Sequence, residues 1–125
     1  MPAKALERAK YLDDYLAEHK KHVGPLHGLP ISVKEHVGMK GLGCNAAFVA
    51  WWDNVADDDA LILKYLWTAG CVFYARTTQP QLLMHLETSS NLYGETVNPY
   101  NRTLTPGGSS GGEGALLGIR GCESR

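Results

Sequence analysis

The sequence predicts an α/β chain with a parallel pair of strands, and three observations carry that reading. Apolar residues recur at three-and-four spacing near the start, two short apolar strand patterns follow, and a second helical pattern lies between those strands. The order helix, strand, helix, strand puts a helical crossover between the strands, as a parallel pair requires. With 125 residues, 44% hydrophobic and 20% charged, the chain is one domain's worth with a modest core. Its net charge of -1 offers no basic field for nucleic acid or an anionic membrane. Cys44, Cys71 and Cys122 lack C-x-x-C spacing, and no signal peptide or long apolar span stands out, so a reducing, cytoplasmic setting is expected.

The first element spans residues 3–20, where Leu6, Ala9, Leu12, Tyr15 and Leu16 form one apolar stripe. Lys4, Glu7, Arg8, Asp13, Asp14 and Glu18 make the opposite, solvated face. The run His19-Lys20-Lys21-His22 suits a helix C-terminus through the dipole, which leaves a metal or nucleic-acid patch without support. Turn residues from Gly24 to Pro30 end the helix. Leu29, Ile31 and Val33 then alternate with Pro30, Ser32 and Lys34 as a strand does. Lys34 thus ends an apolar strand. Two readings stay open for it: apolar neighbours lower its pKa so that the amine acts as a base, or it pairs with Glu35 and solvates its tip.

A glycine-rich loop at residues 38–47 leads to Trp51 and Trp52, expected to pack on the main body, with a substrate-facing role left open. Asp57, Asp58 and Asp59 precede a helix over residues 60–69, apolar nearly all round and stopped by Gly70. Capping is the expected use of these acids, with cation binding the alternative. Cys71 to Arg76 reads as a strand covered on both faces. After Pro80, residues 81–86 predict a short helix whose Leu82, Leu83, Met84 and Leu86 belong to the core. A polar connection over 91–101 then delivers the chain to Thr105-Pro106-Gly107-Gly108-Ser109-Ser110-Gly111-Gly112-Glu113-Gly114-Ala115.

No ordinary packing demand puts these glycines and serines directly ahead of an apolar helix, predicted over 113–120 with its free N–H groups aimed back at the serines. A flexible linker is the plain alternative, but the tract is short and runs straight into the helix. A phosphate cradle matches at Gly107 and Gly112 and fails at Glu113, where a lysine is required. A nucleophile elbow fits around Ser109 or Ser110 but needs a strand before Gly107, and Thr103 to Pro106 is a poor one. The remaining reading is a serine activated by a neutral lysine.

Three ordered motifs, Gly28-Leu29-Pro30-Ile31-Ser32-Val33-Lys34-Glu35, Thr96-Val97-Asn98-Pro99 and Gly107 to Ala115, resemble the amidase signature family, most of all its fungal acetamidase and fatty-acid-amide-hydrolase branch. The likeness is collinear from about the first helix to Gly121. It implies the N-terminal portion of the amidase-signature fold, a mixed sheet with flanking helices: residues 1–125 as an incomplete amidase domain, 122–125 a divergent tail. It implies hydrolysis of a small-molecule carboxylic amide through an acyl-enzyme, without metal or cofactor. Lys34 would be the neutral base. Ser109 would be the bridging serine, following a cis peptide bond from Gly108, with Gly107, Gly108, Ser110, Gly111 and Gly112 as the supporting loop.

In the family the attacking serine lies further on, in a second Gly-Gly-Ser segment whose amides form the oxyanion hole. Here the chain continues through Leu116-Leu117-Gly118-Ile119-Arg120-Gly121 to Cys122-Glu123-Ser124-Arg125, and Ser124 lacks the glycines of such a turn. The expectation is an amidase-family chain with no identified nucleophile, inactive alone, with uncovered strand edges. A second hypothesis is a non-catalytic binding or regulatory fragment that associates with a full-length homologue through an exposed sheet edge. A third, an unrelated α/β-hydrolase, requires a strand before Gly107. The first hypothesis places the Lys34 amine about 2.6–3.2 Å from the Ser109 hydroxyl.

Overall fold

The computed structural model describes residues 1–121; the tail at 122–125, Ser124 included, lies outside the described residues. Helix α1 (Pro2–His19) begins with a proline, whose missing N–H has no partner to lose in a first turn. It closes on Lys20 in the left-handed region (φ 51°), whose N–H returns to Leu16 O. Strands β1 (Pro30–Lys34) and β2 (Val72–Thr77) pair in parallel, with Pro30 opposite Val72, Lys34 opposite Thr77 and an irregularity between Ile31 and Ser32. Helix α2 (Leu61–Thr68) lies in the crossover between them. A small antiparallel pair, β3 (Ser89–Ser90) and β4 (Gly94–Glu95), and helix α3 (Gly111–Gly118) complete the order.

Strand alternation sends Val72 and Phe73 to opposite faces of the parallel pair. Val72 packs with Ala5 and Leu12 of α1, while Phe73 packs with Val33, Leu63 and Cys71 on the α2 side. The parallel pair is therefore the middle layer between two helices, as the α/β reading predicts. The stripe that α1 buries is rotated from the predicted one. Ala5, Arg8 and Leu12 face inward, Leu12 with 1% exposure, whereas Leu6 is 72% exposed.

Arg8 is the polar member of the inward stripe, and it is anchored there. Its Nη2 donates to Trp67 O at 2.7 Å, its Nε reaches Cys71 O at 3.5 Å, and its guanidinium carbon sits 3.9 Å from the Trp67 ring centroid. A planar cation thus satisfies carbonyls at the end of α2 and stacks on an aromatic face, which compensates its removal from water. Burial still pushes its pKa below the usual arginine value. Arg8→Ala is expected to lower unfolding free energy by about 2–3 kcal/mol, the range of charge-assisted hydrogen bonds plus a cation–π contact. Urea unfolding measures it, and a loss under about 0.5 kcal/mol, the level of an ordinary surface substitution, overturns the anchoring role.

Other elements also depart from expectation. The acidic run does not cap α2: its N-cap is Ala60 with no side-chain cap, while Asp59 accepts from Lys40 N at 2.7 Å and Asp58 pairs with Lys64. Nor does any group of three His, Cys, Asp or Glu among the described residues suit a metal ion. Trp51, in a 3-10 turn (Val49–Trp51), and Trp52 just after it are both exposed, and the Trp51 ring meets Phe48 in a tilted contact with centroids 4.7 Å apart. The helix predicted for 81–86 is a single 3-10 turn (Gln81–Leu83) with Leu82 and Leu83 in the left-handed region. Met84 is 82% exposed, and Leu82 and Leu86 are exposed too, so this segment is not core. Among the described residues no helix is long and apolar enough to cross a membrane.

Candidate active site

The site forms where the C-terminal end of β1 meets the loop before α3. Lys34 is the last residue of β1, and its Nζ donates to Ser109 Oγ at 3.0 Å and to Ser110 Oγ at 2.9 Å. Burial lowers the Lys34 pKa from the ordinary lysine value, which favours the neutral amine. The alternative partner is occupied elsewhere. Glu35 is buried, its Oε1 accepting from Asn45 N at 2.8 Å and its Oε2 from Ala46 N at 3.1 Å and Gln79 Nε2 at 2.8 Å. Glu35, the first residue beyond β1, builds the wall while Lys34 faces the serines.

The serine loop is a built structure, not a tether. The Gly108–Ser109 peptide bond is cis, and Gly107 has φ +80°, a left-handed conformation that suits glycine. A Cβ on Gly108 would lie 2.6 Å from His85 O, and one on Gly111 2.2 Å from Thr88 Oγ1. Both glycines therefore let the 85–88 segment approach the loop backbone. Thr88, almost fully buried, donates its hydroxyl to Gly107 O at 2.9 Å and accepts from Gly111 N at 2.9 Å, bracing the loop on both sides of the serines. Sequence reasoning missed Thr88, a hydroxyl residue in a polar stretch with no spacing to mark it. The first free N–H of α3 therefore goes to Thr88 rather than back to a serine.

The Asn-Pro motif delivers the loop. Asn98 N donates to Leu104 O at 3.2 Å, Asn98 Nδ2 to Thr105 O at 3.3 Å, and Thr105 Oγ1 then accepts from Gly107 N at 2.8 Å. Upstream, Thr96 N donates to Thr88 O at 2.9 Å, which ties the motif to the brace. Residues 98–106 are turns, so no strand precedes Gly107 and the nucleophile-elbow geometry is absent from the described residues. Gly112 sits against the Thr78 backbone beyond β2. The structure thus brings together Lys34, Gly107, Gly108, Ser109, Ser110, Gly111 and Gly112, and an amine flanked by two hydroxyls can pass a proton along that line.

Comparison with known proteins follows the same motifs. The family model described as Amidase matches residues 1–124. An acetamidase of Emericella nidulans is 48% identical over 120 residues, 96% of this chain and 22% of its own length. An amidase of Gibberella moniliformis is 49% identical over 119 residues, 94% of this chain and again 22% of its own. A solved fatty acid amide hydrolase superposes with a TM-score of 0.91 at 43% identity, covering 96% of this chain and 21% of that one. The chain spans about a fifth of the length of the relatives it matches, and its fold is the corresponding part of theirs. The match to the family model along almost the whole chain makes it a member of the amidase signature family.

Proposed function

We propose that this chain supplies the base-and-relay half of an amide-hydrolysing site. The observation that carries the reading is the Lys34 amine within hydrogen-bond reach of both Ser109 and Ser110. In this reading the neutral Lys34 accepts a proton from Ser109, and Ser109 in turn accepts one from an attacking serine in the part of the fold outside the matched fifth. Attack on the carbonyl carbon gives an acyl-enzyme, the protons return through the same line to the departing nitrogen, and water releases the acid. Ser110 holds the amine from its other side. Substrates are small-molecule carboxylic amides, as the names acetamidase and fatty acid amide hydrolase of the relatives suggest.

A graft tests this. Residues 1–121 are exchanged for the matched segment of the Emericella nidulans acetamidase, and ammonia release from acetamide is followed. The graft is expected to keep kcat/KM within about tenfold of the parent, a loss of about 1.4 kcal/mol in transition-state stabilisation. The 125-residue chain alone is expected to release none. A folded but inactive graft overturns the reading in favour of a non-catalytic fragment that associates with a homologue along the β1 or β2 edge.

A further inference from the structure

We infer that Glu113 is a positioning residue that fixes the seat of the serine loop against Lys34, an inference that rests on the base-and-relay reading above. Apolar packing does little to hold α3: Gly111 is its one buried residue, and its N-cap Ser110 makes no side-chain cap. Something else must set where the helix sits. Glu113, in its first turn, divides its carboxylate between two strands, with Oε1 accepting from Ser32 Oγ and Oε2 from Thr77 Oγ1 at 2.9 Å. Ser32 lies two residues before Lys34 on β1, and Thr77 is the residue opposite Lys34 on β2. One carboxylate therefore ties the helix that follows the serines to both strands beneath the amine.

Hydroxyl-to-carboxylate bonds are charge-assisted, and an acid in a first turn also suits the helix dipole, so the tie is strong for its size. The residue that rules out a phosphate cradle in the sequence is thus the one that keys the loop to its base. Lys34 reports on the seat, because its lowered pKa comes from burial, and a loosened loop admits water. The charged and titratable groups around it are Glu35, directed at Asn45, Ala46 and Gln79; His36, itself lowered by burial and by the Lys34 charge; Arg76 on β2; and Glu113 on α3.

The test is a carbon-13 NMR titration of the Lys34 Cε signal in the 125-residue chain, assigned by its loss in Lys34→Arg, with the fold checked by circular dichroism. In Glu113→Ala the midpoint is expected to rise toward the ordinary lysine value as the amine regains water. Thr77→Val, matched in shape and charge, should move it the same way by less, and Glu113→Gln, which keeps an acceptor, should stay nearest the parent. Loss of the negative charge alone acts oppositely, lowering the midpoint equally in the Ala and Gln variants. That equal fall, an unmoved midpoint in folded Ala and Val variants, or unfolding of both, overturns the proposal. The titration needs no nucleophile, so an inactive graft beside a shifted Lys34 would remove the catalytic reading while leaving the positional coupling in place.

Discussion

Lys34→Ala in the active graft is expected to reduce kcat/KM for acetamide by about 10³-fold, within the 10²–10⁴ that a positioned general base supplies. The loss should fall mainly in kcat, because Lys34 contacts Ser109 and Ser110 and acts on the proton in flight. Lys34→Arg separates a base from a mere hydrogen-bond donor. The guanidinium still donates to both hydroxyls but does not deprotonate, so it is expected to be as inactive as alanine. The pH dependence has a definite sign. The working form is the neutral amine, so activity is lost where Lys34 is protonated and rises with pH through its pKa. Because burial lowers that pKa, the rise comes earlier than for an ordinary lysine. Activity above a tenth of the parent in Lys34→Arg would show that proton acceptance happens elsewhere.

Lys34 and the Gly-Ser loop were legible because both signals are local: an alternating strand ends in a lysine, and an improbable density of glycines demands close backbone contact. What was not legible depends on partners far along the chain. Arg8 reads as part of a charged face until Trp67 and Cys71, 59 and 63 residues away, supply carbonyls and a ring to receive it. Thr88 has the same property, bridging Gly107 and Gly111 across 19 and 23 residues. The acidic run before α2 fits the local capping rule, yet Lys64 and the backbone N–H of Lys40 take Asp58 and Asp59, so tertiary contacts prevail over a rule worth about 1 kcal/mol. Apolar periodicity states that Met84 and Leu86 would gain from burial, not which segment would bury them; in this chain they stand in solvent.

Gly112→Ala is the other change with a large expected effect, and it tests the loop's packing without touching a polar group. A Cβ at position 112 would lie 2.4 Å from Thr78 N, 2.5 Å from Thr78 Oγ1 and 2.6 Å from Thr78 O. Most of that is main chain, which cannot rotate away. Neither side has slack: Thr78 Oγ1 shares a 2.7 Å hydrogen bond with Thr96 Oγ1, and the next residue, Gln79, is buried and bonded to Glu35. The helix must move instead, and with it the link between Glu113 and the two strands. The expected loss is about 3 kcal/mol, the upper end for overpacking a fitted site, together with loss of the lowered Lys34 titration. Gly114→Ala is the control, because its Cβ would meet Pro106 O at 3.4 Å, a contact the loop can absorb. There the gain in helix propensity offsets the contact, and stability should stay within about 1 kcal/mol of the parent. Urea midpoints of the two variants decide the matter. Equal stability would mean that α3 does not rest on the Thr78 backbone, and the seat of the serine loop would have to be drawn elsewhere.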